Sequence, residues 1–271
     1  MRRNLKALLA ILLFSAIAPA AHSQATADAA DKSEAAPPSK FKEAAVHGFV
    51  ALREESGETI GGGDLTQELH ADLVTSHLTL HFKDGSSHEE TSVFSQRQTI
   101  RLVTDHLVQK GPSFKRPMDM LVDCRSGQTT VRTADDDGKE QVINERLPCP
   151  PALANGITSV ILRNAAPSSG QLTLSLIVAN PKPRIVKLEI TPAGEDTVAV
   201  GGISRKANHY VIKIQLGGVA GVVAPIVGKQ PPDTDVWMIP YAPPQLIRSK
   251  GQLADGSPIW ILDMTAPNWP Q

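Results

Sequence analysis

The side chains of this sequence that could do chemistry fall into a few small groups. His77, His81 and His88 flank an Asp84-Gly85 pair in a stretch that alternates apolar and polar residues. If Asp84-Gly85 is a two-residue hairpin loop, His81 stands opposite His88, His77 shares their face, and Glu90 opposes Thr79. Imidazoles at cross-strand spacing can ligate zinc or copper. That face lies opposite Leu78, Leu80 and Phe82 and should be solvated, whereas a metal needs a closed geometry and a supporting outer ring of hydrogen bonds. Ordinary surface histidines explain the pattern with fewer assumptions, so no metal is assigned. Cys124 and Cys149 are the two cysteines. Either they pair, which stabilises the fold by about 3 kcal/mol in the chain-entropy picture, or they are two buried thiols. Neither has the electropositive setting that activates a thiolate.

Other motifs fail on spacing. Gly221 to Lys229 is no phosphate loop, because its glycines are too far apart and Gln230 stands where Ser or Thr would hold magnesium. Asp135-Asp136-Asp137-Gly138 lacks the alternate-residue ligands of a calcium loop and reads as a hairpin turn. There is no Gly-x-Ser-x-Gly elbow and no His-Glu-x-x-His helix. No catalytic residue and no cofactor is assigned, and the sequence points away from an enzyme. A hydrolase or metal-dependent enzyme with a dispersed site would leave no local motif and stands as a second alternative.

The elements that must position any site begin with export. Arg2, Arg3 and Lys6 precede an apolar run through Ile17, and Ala21-His22-Ser23 offers small residues for cleavage. Residues 1–23 therefore read as a signal peptide of a periplasmic or secreted protein, with no stable transmembrane span after cleavage. Residues 24–46 are rich in Ala, Asp, Ser, Glu, Lys and Pro and read as a disordered tether. Residues 47–271 read as a single β-rich domain. The chain has 27 basic and 28 acidic residues and loses three basic ones with the leader. With no basic block and only 4% aromatic residues, nucleic-acid binding is excluded as a leading reading.

Period-two alternation dominates the domain. Strands are expected near 49–54, 64–69, 74–82, 87–94, 99–109, 129–134, 140–147, 172–178, 185–191, 210–216, 236–239, 245–250 and 259–264. One helix is expected to open at Pro150-Pro151, carry Leu153, Ile157, Val160 and Ile161 on one face and end at Pro167. A sheet of this many strands cannot stay flat. The economical fold is mainly β: a curved antiparallel sheet, or half-barrel, wrapped around one helix, apolar within and polar outside. The uncharged run 216–228 fits a buried strand and turn, a flap over a cavity or a membrane-inserting loop.

The sequence resembles the periplasmic lipoprotein-carrier superfamily and its uncharacterised relatives. The likeness rests on Lys83-Asp84-Gly85-Ser86, on Pro151-Ala152-Leu153-Ala154-Asn155-Gly156-Ile157 and on the closing strand pairs after Trp237, over residues 47–265. The resemblance implies a curved half-barrel with a helix in its mouth, acting on acyl chains or in envelope biogenesis. The leading expectation is a non-enzymatic binder of a lipid, acyl chain or other apolar ligand, using Leu78, Leu80, Phe82, Leu174, Leu176, Ile212 and Ile214. The alternative is an envelope structural or assembly factor that binds a protein partner through strand edges.

Overall fold

The computed structural model describes residues 35–134, 138–166, 170–180, 182–216 and 230–265. The expected signal peptide, the first part of the tether and most of the 216–228 run lie outside these residues. Fourteen strands form one antiparallel sheet: β1 (Val46–Glu54), β2 (Thr59–His70), β3 (Leu73–Phe82), β4 (Ser87–Ser95), β5 (Arg101–Lys110), β6 (Met118–Asp123), β7 (Gln128–Ala134), β8 (Glu140–Arg146), β9 (Leu172–Val178), β10 (Arg184–Val200), β11 (Ile203–Gln215), β12 (Thr234–Ile239), β13 (Gln245–Gly251) and β14 (Trp260–Thr265). The helix α1 spans Thr158–Ala165. The strand order runs β8 to β1, then β14 down to β9, so β8 and β9 are the edges and β1 pairs with β14 at the centre.

Laid flat, fourteen strands at about 4.8 Å spacing would hold β5 and β12 far apart. Instead one hydrophobic cluster draws on both halves: Val74, Phe94, Leu107, Met120 and Val131 from one, Leu174, Ile190, Tyr210 and Met238 from the other. Glycines help the sheet bend. A Cβ on Gly63 would lie 1.7 Å from the Thr79 carbonyl oxygen, and one on Gly61 would lie 2.3 Å from that of His81. Only glycine permits so close an approach of β2 to β3.

The helix starts later than its apolar spacing suggests. Gly156 takes φ +62°, so residues 151–157 form turns and only Thr158 onward is helical. The turn region does other work. Leu153 makes a parallel bridge to Ser175 of β9, and Asn155 exchanges 2.9 Å hydrogen bonds with the backbone of Ile177, covering part of that edge. Gly156 lies so close to Ser92 of β4 and Asp105 of β5 that any Cβ would collide with both. Ile157, Ile161 and Leu162 are fully buried in the shared cluster. The Cys124–Cys149 disulfide ties the start of this crossing to the β6–β7 turn.

Several elements depart from expectation. The β6 strand was not anticipated, and β10 and β11 run far past their expected limits, since polar residues from Glu195 to Lys206 mask their alternation. The expected tether also ends early. Pro38 bridges Thr99, the Phe41 N–H donates to Asn164 Oδ1 at 2.7 Å, and Glu43 is buried against Arg163 at 2.6 Å. Composition alone hid this, because backbone hydrogen bonds and one buried carboxylate anchor a segment otherwise poor in apolar residues.

That ion pair couples the N-terminal segment to the last turn of α1. Burial raises the Glu43 carboxyl above its ordinary value, and Arg163 only partly offsets this. Arg163→Met should therefore cost about 3–5 kcal/mol, the penalty of a buried carboxylate without its partner. The double variant Glu43→Gln/Arg163→Met should recover most of that loss. Urea unfolding of the three proteins checks this, and equal stability of wild type and single variant would refute it.

Candidate functional site

The β3–β4 turn decides which side chains enter the fold. Phe82 N–H donates to Ser86 O at 2.9 Å, Gly85 N–H donates to Phe82 O at 3.1 Å, and Asp84 Oδ1 accepts from Ser86 N–H at 2.8 Å. The loop thus has three residues, Lys83-Asp84-Gly85, with Gly85 at φ +87°. This is one residue more than expected. The slip pairs His81 with Ser87, Leu80 with His88 and Leu78 with Glu90. A one-residue slip moves a whole strand's side chains to the opposite face. His88 is consequently buried and points inward, away from His81, which is exposed. His77 is held by the hydroxyls of Thr91 at 2.6 Å and Thr79 at 2.8 Å. The three histidines considered as metal ligands are not brought together.

The same slip carries Glu90 inward. Register places the inner side chains in rows across the strands. One row reads Val50, Gly63, Leu80, His88 and Gln109; the next Gly48, Leu65, Leu78, Glu90 and Leu107; the third Val46, Gln67, Ser76, Ser92 and Asp105. In the first row all but Gly63 are buried, and in the third all but Val46. The middle row differs: Gly48, Leu65, Leu78 and Glu90 stay half-buried although buried rows flank them. Glu90 lies deep among protein atoms yet keeps part of its surface accessible. Val46 and Leu69 on the same inner face are 41% and 43% exposed.

The expected ligand residues split between two clusters. Leu80 and Phe82 are buried, and Leu78 packs, against Val50, Leu52, Phe114 and Trp260. Phe82, Phe114 and Trp260 meet edge to face, with centroids 5.1–5.9 Å apart, and close one end of the interior. Leu174 and Ile212 are buried in the other cluster with α1, and Leu176 and Ile214 pack at its margin. Of the expected set, only Leu78 lies in the half-buried middle row.

The inner face around the middle row is not purely apolar. Gln109 Nε2 donates to His88 Nδ1 at 3.0 Å and to the Leu253 carbonyl at 2.7 Å, which puts the imidazole proton on Nε2. That Nε2 has no partner among the described residues, and neither has Asp105 Oδ2. Ser92 Oγ donates to Asp105 Oδ1 at 2.7 Å. Burial pulls the His88 pKa down to about 4, keeping the ring neutral. Burial pushes Glu90 up to about 8, and the Asp105 charge pushes it the same way. Burial also raises Asp105 to about 6, against the opposing pull of Ser92 and His106. Near neutral pH the interior therefore presents a protonated Glu90, an O–H donor, beside an acceptor on Asp105.

The sequence sets Glu90 opposite Thr79 on the outer face and singles out neither Asp105 nor Gln109. The segment 87–92 is polar at every position, so its alternation specifies no face. The one signal was Asp105, which sits at the same parity as Leu107 in a strand where that parity faces the core.

No family model and no curated protein matches this chain. Two solved structures do, at low likeness. A β-barrel-like protein of a domain of unknown function, DUF1849, from Brucella abortus shares 10% identity and a TM-score of 0.42 over 83% of this chain and 99% of its own. The hypothetical lipoprotein YmcC from Escherichia coli shares 11% identity and a TM-score of 0.31 over 83% of this chain and 86% of its own. Membership of the lipoprotein-carrier superfamily stays a resemblance read from the sequence.

The raised Glu90 pKa has a stability consequence with a definite sign. The folded protein keeps a proton that the unfolded chain releases near pH 4.5, so this contribution is full below that pH and is lost as pH rises to about 8. His88 works oppositely, but its effect is complete by about pH 6.5. From pH 6.5 to 8 wild type should lose stability at up to about 1.4 kcal/mol per pH unit relative to Glu90→Gln. Urea unfolding across that range measures it, and parallel pH profiles would rule it out.

Proposed function

We propose that this protein is a non-enzymatic binder of an apolar chain, acting outside the cytoplasm in the cell envelope. The carrying observation is the half-buried inner row of Gly48, Leu65, Leu78 and Glu90 between buried rows. In this reading the sheet curves as a half-barrel, and α1 fills one end of its concave side while the aromatic trio fills the other. The contact of Gly156 with Ser92 and Asp105 supports that placement. The slot between them takes the ligand.

The chemistry of the walls narrows the ligand. Leu65 and Leu78 offer apolar surface, and beside Gly48 the Met264 methyl group stands where a Cβ would come within 2.8 Å of it. Each buried methylene would contribute about 0.8 kcal/mol before the cost of association. The neutral Glu90 carboxyl suits a hydrogen-bond acceptor such as an acyl carbonyl and would repel no part of an uncharged chain. A lipid or fatty acyl group meets both conditions. Supporting the compartment are the leader-like first 23 residues, the disulfide, which suits an oxidising environment, and the finding that no described helix is long and apolar enough to cross a membrane.

The edge-pairing alternative has one observation in its favour, the unpaired outer edge of β8, where Val142 is 52% exposed. The exposed Glu140 opposes it, since charged side chains protect edges against pairing, and the half-buried Glu145 is engaged by Lys182 at 3.8 Å.

Native mass spectrometry of protein exported by a cell tests the main reading. Wild type should carry a co-purifying lipid or acyl mass. Leu78→Trp should fill the slot and reduce that occupancy at least tenfold, at an overpacking cost of no more than about 1–3 kcal/mol. A wild-type protein free of bound mass, or equal occupancy in the variant, would sink the proposal.

A further inference from the structure

A second site lies on the outer face of the sheet. The bulge between Pro192 and Gly194 re-aims the outer half of the β10–β11 hairpin. Val198 and Ala207 bury against Ile247, with Trp237 and Ile239 packed beside them. The hairpin tip carries Gly201 at φ +58° and Gly202 at φ +78°, the paired left-handed residues of a tight turn. Arg248 Nη2 donates to Ala199 O at 3.0 Å and fastens the tip over β13. Between the tip and strands β1, β13 and β14 is a recess of about 520 Å³.

Asp263 forms its floor and is 3% exposed. Arg248 grips it with two hydrogen bonds, Nε to Oδ1 at 2.6 Å and Nη2 to Oδ2 at 3.0 Å. Arg53 Nε reaches Oδ2 from the other side at 3.2 Å. Arg53 Nη1 is further held by Thr59 Oγ1 at 2.9 Å. Two guanidiniums on one carboxylate leave a net positive charge in the recess. These bonds use Arg53 Nε and Nη1 and Arg248 Nε and Nη2. The two side chains keep 34% and 24% of their surface accessible.

We propose that this recess binds a small molecule through an oxyanion, a carboxylate or a phosphate, held by Arg53 and Arg248. Asp263 orders both guanidiniums in advance, so little rotamer freedom is lost on binding. Arg53 Nη2 and Arg248 Nη1, outside those bonds, can each donate to an oxygen of the anion. Gly201 and Gly202 place bare backbone above the charge, where a side chain would narrow the opening. The volume suits a small ligand. The site is independent of the interior slot and makes use of the opposite face.

Nitrogen-proton NMR of the exported chain, titrated with inorganic phosphate and separately with acetate at constant ionic strength in sodium chloride, tests it. Saturable shifts are expected at the Gly201 and Gly202 amides and at the Arg53 and Arg248 Nε–H groups, with at least one anion. The tighter of the two names the ligand class. Arg53→Gln leaves the two-bond Arg248–Asp263 pair intact and should weaken the apparent affinity at least tenfold. Arg53→Lys keeps the charge without the second donor nitrogen and should weaken it less. Shifts that stay linear with anion concentration, or affinities unchanged in both variants, would overturn the proposal.

Discussion

The register of one hairpin governs the interior of this protein. Because strand side chains alternate with a period of two, the loop length at Lys83-Asp84-Gly85 assigns every residue of β4 to a face. A two-residue loop would have turned His88 and Glu90 outward to solvent. The three-residue loop turns them in, beside Leu80 and Leu78, where desolvation makes one imidazole and one carboxyl neutral at ordinary pH. The Asp84 side chain, which caps Ser86 N–H, and the left-handed Gly85 together set that length.

Curvature is the second constraint. A fourteen-stranded sheet buries one face only if it bends, and the glycines of β2 allow β3 to approach closely enough for that. Bending gives both halves one shared core. The crossing from β8 to β9 then joins the two free edges in sequence: a disulfide near β6, a turn pressed on β4 and β5, a bridge to β9, and a helix in the common cluster. The docked segment 37–43 locks the far end of that helix through Glu43. Each contact is local and modest, yet together they join elements far apart in the chain.

The two faces solve the problem of buried charge differently. Inside, burial and the Asp105 charge keep Glu90 protonated near neutral pH, while burial raises Asp105 against the pull of Ser92 and His106. Outside, Asp263 is as well buried but lies between two guanidiniums that hydrogen-bond it and offset the cost of its burial. The same residue type thus yields a neutral hydrogen-bond donor on the inner face and an arginine-rich recess on the outer one.

Alternation by itself determined that the domain is mainly β, and it located most strands to within a few residues, because a half-buried strand must alternate. It also showed the apolar stripe of the helix. It did not determine where the helix begins, since the left-handed turn at Gly156 is fixed by packing against Ser92 and Asp105. Nor could it show the hairpin extension over 194–208, whose exposed residues carry no pattern. Two cysteines allowed a disulfide, and only the fold brought their Cα atoms to 5.5 Å. The candidate sites were the least legible part. Arg53, Arg248 and Asp263 are spread over some two hundred positions, and Glu90 sits in a polar run that favours neither face. Which of them meet, and in what dielectric, depends on register and curvature, which arise from long-range pairing and leave no local mark in the chain.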